Sequence, residues 1–380
     1  MAIDIKNLIE FVQRDIANID STGDTQRILD LARFVDRQAK TTLLMYDSTS
    51  DLPNLLDDTA DTAQLVFVAN QRRLYVNQGT WKPMEQTVPP VPIFLQPYTF
   101  QGSNFGYTSG GHPYLNIIDK FSFSSDGNAS DVGDLSVGRG EPAGQSSTVS
   151  GYNSGGVSSN VIDKFPFSSD ANATDVGDLI DTKHSKAGQS SSENGYTSGG
   201  YFPIVDTIEK FPFAVDANST DVADLTQSRY SASGQSSTLS GYTSGGYSTP
   251  GGNRNTIDKF PFASDANATD VGDLTLARYS TAGQSSLENG YTSGGNPYPT
   301  SFTIDKFPFA SDANATDVGD LSARRYSQAG QSSTASGYNS GGYNPSILST
   351  IDKFPFSSDT NDTDVGDLTV ARNQIAGQQY

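Results

Sequence analysis

The residue types that most often perform nucleophilic and acid–base chemistry are scarce in this chain of 380 residues, which contains two His and no Cys. The absence of Cys excludes thiolate nucleophiles, disulfides and Cys-ligated metals together. A serine nucleophile needs a His nearby as base and an acid that orients it. The many Ser residues stand at repeated positions, which is typical of scaffold residues. We therefore predict that the protein is not an enzyme.

An acidic segment is the second candidate for chemistry. The sequence DANATDVGD places oxygen-bearing side chains two residues apart at Asp170, Asn172 and Thr174, as calcium loops do. The sixth position, which requires Gly in such loops, is Asp175, and no Glu follows at the twelfth. We favour a polar turn whose Asn and Asp accept backbone hydrogen bonds, and we predict no metal and no cofactor.

Aromatic and amide residues in six segments of differing sequence are the third candidate. These segments, such as HPYLNI and YSTPGGNRNT, vary while the residues around them repeat, and variable loops on a fixed scaffold commonly carry recognition. Tyr rings and amide groups can stack on and hydrogen-bond to sugars, or form a protein interface. Local packing of the same rings in solvent loops is the alternative. The predicted ligand-binding residues are Tyr114, Tyr201, Phe202, Tyr247, Asn253, Tyr298, Phe302 and Tyr343.

Six internal repeats position these segments. Each repeat contains GY(T/N)SGG, then (I/V)(D/E)KF(P/S)F, then a segment similar to SSDANATDVGDL. All length variation falls between the Gly-Gly pair and the acidic residue of the second motif, so one loop varies on a constant scaffold. The first motif begins at Gly106, Gly151, Gly195, Gly241, Gly290 and Gly337.

Each repeat favours four short strands. GQSS, GYTSGG, TIDKFPF and ATDVGDL are separated by Gly, Asn, Asp and Ser, and none carries an apolar period of 3.6 residues. Six four-stranded units of this length are typical of propeller blades. We therefore predict a mainly β fold in which residues 99–380 form a six-bladed propeller.

The repeats resemble the kelch family. The resemblance rests on an Arg before the first strand (Arg229), a Tyr shortly before the Gly-Gly pair (Tyr242) and an aromatic residue in the third strand (Phe260). The Trp typical of the fourth kelch strand is Val here, which implies a divergent branch. Kelch blades also occur in galactose-oxidase-like enzymes, whose copper needs two His, two Tyr and a Cys. This chain has no Cys, and its two His residues, His112 and His184, stand in different segments, so that activity is not expected.

The motif order predicts how the ring closes. The first blade has no Arg-to-GQSS segment of its own, and the chain ends with such a segment, ARNQIAGQQY, from Ala371 to Tyr380. We predict that this segment is the inner strand of the first blade, so that no blade edge around the ring is unpaired. The twelve Phe of the FPF and FSF motifs are predicted to pack between blades. The recurring Arg and Asp, such as Arg278 and Asp273, are predicted to tie the ring together.

The first 98 residues differ in kind. Residues 1–45 are predicted to be a helical anchor or oligomerisation segment: Ile5, Ile9 and Val12 begin an apolar heptad seam, and a second helix is expected from about Asp24 to Leu44. An intrachain helical hairpin without a partner is equally compatible. Residues 46–87 are predicted to be a small β-hairpin module, and residues 88–98 a Pro-rich linker.

The segment LYVNQGTW, from Leu74 to Trp81, resembles modules of virion structural proteins in tailed phages, especially marine ones. This resemblance implies a virion protein that is made in the host cytoplasm. The apolar seam of residues 1–45 leads us to expect a homo-oligomer. The resemblance also implies contacts with other virion proteins through the N-terminal region.

The charge and hydropathy of the chain restrict its partners. A formal net charge of -19 opposes binding to phosphate backbones, so nucleic acid is not expected. The N-terminus has no signal-peptide pattern and no run of eighteen apolar residues occurs, so no membrane insertion is expected.

These expectations combine into a non-enzymatic phage tail fibre or capsid decoration that displays a propeller for binding to a host-surface glycan or protein. A cellular kelch-like binding or scaffold protein is the first alternative, and a glycan-cleaving enzyme is the second.

Overall fold

The computed structural model describes residues 100–296 and 302–380, together with four strands that precede residue 84. The chain divides into two compact units, Met1–Gln96 and Pro97–Tyr380. The described residues of both units form strands, turns and bends, with no helix among them. Accordingly, the described part of the chain contains no helix that is long and apolar enough to span a bilayer.

The described part of the first unit is a four-stranded sheet. Its strands are β1 (Leu44–Tyr46), β2 (Leu65–Val68), β3 (Arg73–Asn77) and β4 (Trp81–Pro83), in that order across the sheet. The antiparallel pairing of β2 with β3 confirms the predicted hairpin. Strand β1, which runs parallel to β2, was not predicted, because three residues are too few to show a strand periodicity. The predicted helices lie outside the described residues.

The second unit is a six-bladed propeller, as the repeats predict. Each blade is an antiparallel sheet with an inner, a second, a third and an outer strand, and the inner strands of neighbouring blades contact one another. In that order, blade 1 contains β30 (Ala376–Gln379), β5 (Phe105–Ser109), β6 (Ile117–Ser122) and β7 (Ser130–Asp134), and blade 2 contains β8 (Ala143–Ser146), β9 (Ser150–Ser154), β10 (Val161–Pro166) and β11 (Thr174–Asp178). Blade 3 contains β12 (Ala187–Ser190), β13 (Asn194–Ser198), β14 (Thr207–Pro212) and β15 (Thr220–Asp224), and blade 4 contains β16 (Ser233–Ser236), β17 (Ser240–Ser244), β20 (Thr256–Pro261) and β21 (Thr269–Asp273). Blade 5 contains β22 (Ala282–Ser285), β23 (Asn289–Ser293), β24 (Thr303–Pro308) and β25 (Thr316–Asp320), and blade 6 contains β26 (Ala329–Ser332), β27 (Ser336–Ser340), β28 (Thr350–Pro355) and β29 (Thr363–Asp367). A small hairpin of two-residue strands, β18 (Tyr247–Ser248) and β19 (Gly252–Asn253), lies in the loop between the second and third strands of blade 4.

The ring closes through the C-terminal strand, as predicted. Strand β30 pairs antiparallel with β5, with Ala376 opposite Ser109 and Gln379 opposite Gly106. The first blade therefore contains both ends of the propeller sequence, and the two ends hold each other in place by backbone hydrogen bonds.

The inner strands meet at the propeller axis, where a Gly is the only residue that fits. A Cβ added to Gly234 would overlap the carbonyl oxygen of Gly188, and one added to Gly283 would overlap the carbonyl oxygen of Gly234. The same relation continues around the ring and returns from Gly377 to Gly144. The invariant Gly of the GQ motif is thus explained by the close approach of neighbouring backbones.

Buried ion pairs fasten each inner strand to the third strand of its own blade. Arg229 and Asp258 are fully buried, with Nη2 2.8 Å from Oδ2. The Asp258 carboxylate also accepts hydrogen bonds from the Thr226 amide and hydroxyl, which belong to the crossover from blade 3. The recurring Arg ties the ring together as predicted, but the partner of Arg278 is Asp305, at 3.2 Å, and not Asp273. Four more such pairs occupy the remaining blades: Arg139 with Asp163, Arg325 with Asp352, Arg372 with Asp119, and Lys186 with Glu209.

Aromatic rings fill the spaces between blades, as predicted for the Phe motifs. Tyr152 of blade 2 lies 5.6 Å from Phe211 and stacks at 4.7 Å on Phe213, both of blade 3. Equivalent contacts join the other blades, and each such ring pair contributes about 0.5–1.5 kcal/mol beyond its burial. Burial raises the pKa of Tyr152 to about 12, so this hydroxyl stays neutral.

The outer strands account for much of the negative charge. Each has a β-bulge opposite the third strand and two Asp residues, such as Asp175 and Asp178 in β11. Charges and bulges on an edge strand oppose pairing with another sheet. The net charge of -19 therefore reflects, in large part, protection of six exposed edges.

We expect that deletion of residues 371–380 destabilises the whole ring, because blade 1 loses its inner strand and its buried Arg372. The melting temperature, measured by circular dichroism, should fall by at least roughly 10 °C. The control is Val370→Ala, a change at an exposed residue directly before the deletion. An unchanged melting temperature of the truncated protein would refute closure by this strand.

Gly234→Ala should cost about 3 kcal/mol or more of unfolding free energy, because the new methyl group overlaps backbone that belongs to another blade. Gly127→Ala is the matched control, since no atom lies within 4 Å of its added Cβ. Chemical denaturation of both variants measures the difference. Equal stability of the two variants would show that the axis has room for a side chain.

Blade 6 carries a second buried carboxyl group beside its ion pair. Asp362 stands where other blades have Ala or Ser, and burial, followed by the neighbouring Asp352, raises the pKa of Asp362 to about 7. The Ser322 amide and the Arg325 guanidinium oppose this rise. Because the pKa of Asp362 is higher in the folded than in the unfolded protein, the free energy of unfolding is highest below the unfolded pKa near 4. It falls as the pH rises to the folded pKa of about 7.

The free energy of unfolding of the unaltered protein should fall between about pH 4 and pH 7, and Asp362→Ala should abolish this fall. At pH 8 the variant should be more stable by roughly 2–4 kcal/mol, as measured by denaturant titration at each pH. Ala315→Asp, at the equivalent position of blade 5 beside Asp305, should introduce the same dependence. Parallel pH profiles of Asp362→Ala and the unaltered protein would contradict this assignment.

Candidate functional site

The described residues of the variable loops lie on one face of the propeller. Strands alternate in direction within a blade, so the loop between the second and third strands emerges at the same end as the crossover to the next inner strand. We call this end the loop face. The chain enters at the opposite end, where the Gly102 amide donates to the Ser332 carbonyl and Gln101 Nε2 donates to the Ser285 carbonyl.

A closed circle of backbone hydrogen bonds surrounds the axis on the loop face. Six residues with φ between 51° and 60° each donate an amide hydrogen to the carbonyl of the equivalent residue in the preceding blade, at 2.7 to 3.2 Å. They are Glu141, Ser185, Ser231, Ser280, Ser327 and Gln374. The circle narrows the axis and places the six side chains around its mouth.

Around this circle, five of the six crossovers contribute a residue that forms a backbone bridge with the residue after a Gly-Gly pair. The bridged pairs are His112 with Asn373, His184 with Tyr201, Tyr230 with Tyr247, Tyr279 with Asn296, and Tyr326 with Tyr343. The bridge fixes the two side chains of a pair next to each other. The identity of the paired residues therefore decides the chemistry of each sector of the loop face.

Five rings form a continuous row over blades 3 to 5, which we call the aromatic arc. Its centroid distances are 5.4 Å from His184 to Tyr201, 4.5 Å from Tyr201 to Tyr230, and 5.5 Å both from Tyr230 to Tyr247 and from Tyr247 to Tyr279. Tyr201 is 37% exposed, and the other rings are partly exposed. The arc is thus an accessible aromatic surface rather than a buried core.

The electrostatics of the arc follow from this crowding. Burial, followed by the nearby Tyr201, Tyr247 and Tyr279 hydroxyls, raises the pKa of Tyr230 above its ordinary value. The Tyr230 hydroxyl therefore remains neutral at physiological pH and is a hydrogen-bond donor.

The carboxylate of Glu141, at the His184 end of the arc, accepts hydrogen bonds from three neighbouring side chains. Glu141 accepts hydrogen bonds from His184 Nδ1 at 2.6 Å, from Gln374 Nε2 at 2.5 Å and from the Ser185 hydroxyl. Burial alone raises the pKa of Glu141, but these hydrogen bonds and the His184 charge outweigh it and lower the pKa below its ordinary value. Glu141 is therefore a charged, fully engaged group and is poorly suited to act as a general acid.

Two predicted site residues, Tyr201 and Tyr247, lie in the aromatic arc. Phe202, 79% exposed, lies 6.0 Å from Tyr201, and Asn253 pairs with Tyr247 in the β18–β19 hairpin. The structure therefore brings four of the eight predicted residues together.

The other predicted residues are separate from the arc. Tyr343 contacts Tyr326 at 5.4 Å, Tyr114 contacts His112 at 5.9 Å, and Phe302 is 38% exposed. Tyr298 lies outside the described residues.

The sequence analysis missed Tyr230, Tyr279 and His184, which complete the arc. They follow the recurring Arg or Lys, and their segment was assigned to the scaffold as part of an inner strand. A signal was present, since the six residues at this position differ while their neighbours repeat: Gly140, His184, Tyr230, Tyr279, Tyr326 and Asn373.

Two small cavities lie on the loop face. The axial mouth encloses about 110 Å³ and is lined by residues such as Glu141, Ser231 and Ser280. A second cavity, of about 160 Å³, lies beside Tyr326, Tyr343 and Asn296. Both are well below the roughly 300–1,000 Å³ of sites that enclose small molecules. The geometry therefore favours a ligand that lies on the surface.

The acidic segments serve the scaffold. Asn172 Oδ1 accepts a hydrogen bond from the Asp134 amide of the preceding blade, and Asp175 Oδ1 accepts one from the Gly177 amide. Asp170 pairs with Lys120 across the same boundary. These contacts confirm the predicted polar turn. The described residues contain no group of three or more His, Asp or Glu arranged to hold a metal ion.

No protein-family model matches the chain, and no curated protein matches it.

Proposed function

We propose that the protein is a non-enzymatic binding protein whose loop face attaches to a surface glycan or protein, with the aromatic arc at its centre. The observation that carries this proposal is the continuity of the five rings, at centroid distances of 4.5–5.5 Å, on a scaffold that otherwise repeats. Exposed Tyr rings combine apolar area with a polar hydroxyl and lose little conformational entropy on binding.

We further propose that the protein is a virion appendage, either a tail fibre or a capsid decoration, and that its propeller is kelch-like. The kelch resemblance rests on the Arg before the first strand, the Tyr before the Gly-Gly pair and the aromatic residue in the third strand. The virion attribution rests on the LYVNQGTW segment from Leu74 to Trp81. The N-terminal region would then contact other virion proteins and assemble several copies. The negative outer strands would keep many displayed copies soluble.

A host-cell binding experiment tests the role of the loop face. The purified full chain should bind intact host cells, and Tyr201→Ala combined with Tyr247→Ala should weaken binding about tenfold or more, because two exposed rings are lost. The control is Leu239→Ala, since Leu239 is 75% exposed on the opposite face. Flow cytometry of labelled protein measures the difference. Binding that survives the double change would remove the loop face as the attachment surface.

Immunogold labelling of purified particles tests the virion attribution separately. Label on tails, fibres or capsid surface is expected. Absence of label from intact particles would favour a cellular binding or scaffold protein instead. Release of soluble sugar from host-envelope polysaccharide would favour the third alternative, a glycan-cleaving enzyme.

A further inference from the structure

The paired positions around the axis differ in side chain from one sector of the loop face to the next. Blades 3 to 5 carry the aromatic arc, whereas the corresponding residues before and in blades 1 and 2 are Asn373, His112, Gly140 and Val157. The repeated scaffold would allow a symmetric ring of Tyr, but blades 1 and 2 have no Tyr at these positions. Blade 5 has Asn296 between the arc and the Tyr326–Tyr343 pair of blade 6. A ligand that uses these rings therefore lies along one side of the axis rather than across it.

The shape of the arc suits an elongated ligand. Its four successive centroid distances are similar, and the rings follow the curve of the blades without a gap. A compact ligand would contact one or two of these rings. A chain of repeating units would contact each ring in turn, so that several weak stacking contacts add up on one molecule.

Ser hydroxyl groups line the axial mouth beside the arc. Ser231, Ser280 and Ser327 are half-buried there. Their positive φ values, 51°, 54° and 58°, are imposed by the backbone circle. Hydroxyl groups that both donate and accept suit a ligand that is itself rich in hydroxyls.

The charged groups around the arc are already paired. Lys186 pairs with Glu209, Lys183 pairs with Asp181, and Glu141 is held by three donors. Arg254 Nη2 donates to the Ser248 hydroxyl and the Pro250 carbonyl. Beyond them, the outer strands carry rows of Asp, which repel an anionic polymer.

We propose that the aromatic arc binds an uncharged polysaccharide chain, whose sugar rings stack on Tyr201, Tyr230 and Tyr247 while its hydroxyls bond to the neighbouring Ser. This inference rests on the proposed function and narrows it from any surface glycan to an uncharged one. It also locates the chain over blades 3 to 5.

An array of immobilised polysaccharides tests both parts. The full chain is applied to neutral glucans, mannans and galactans and to polymers that carry uronate or sulfate. Binding is expected on one or more neutral polymers and on none of the acidic ones. It should change by less than about twofold between low and high salt, because no charge pair forms.

A pair of Tyr variants locates the ligand. Tyr230→Ala should weaken binding about tenfold, since Tyr230 touches two other rings of the arc. Tyr326→Ala is the matched control: it lies in the same Arg-Tyr-Ser motif but outside the arc, and it should change binding by less than about twofold. The melting temperatures of both variants, compared with that of the unaltered protein, show whether each variant is folded.

The outcomes separate this inference from the proposed function. Binding to acidic polymers alone would overturn the neutral ligand, and equal effects of the two Tyr changes would overturn the location. Either result leaves surface attachment standing. Binding to host cells without binding to any polysaccharide would also overturn this inference, whereas failure to bind host cells would overturn the proposed function itself.

Discussion

The close approach of six inner strands at the axis is the constraint on which the propeller depends. Each Gly of the GQ motif lies against the carbonyl oxygen of the equivalent Gly in the neighbouring blade, from Gly144 around to Gly377. No other residue fits there, so the repeat must keep Gly at this place in every blade. The buried pairs such as Arg229 with Asp258 then fix the third strand of the blade and the incoming crossover to this axis.

This rigid centre allows the loop face to vary. The backbone circle through Ser231 and its equivalents, and the bridges such as Tyr230 with Tyr247, are made by main-chain atoms. Side chains at the bridged positions can therefore change without loss of the ring. The aromatic arc arose at these positions, where the fold holds neighbouring residues side by side and leaves their outer surfaces accessible.

The acidic residues behind the net charge of -19 occupy distinct parts of the propeller. Carboxylates on the inside, such as Asp258, are paired with Arg, and those of the turns, such as Asp170, pair with Lys across blade boundaries. The outer strands carry the surplus as a row of Asp that blocks edge pairing. Asp362 is the exception, because its blade has two buried carboxyls facing one Arg325.

The sequence by itself determined the number of blades, the closure by Ala371–Tyr380, the Phe packing and the single variable loop, because each of these repeats six times or breaks the repeat visibly. It also indicated Tyr201 and Tyr247. Only the tertiary structure decided that Arg278 pairs with Asp305, and that Tyr230 and Tyr279 join the rings of the variable loops. Those contacts join residues far apart in sequence or on different blades, and their partners are chosen by the twist and stacking of the blades, which no local pattern records.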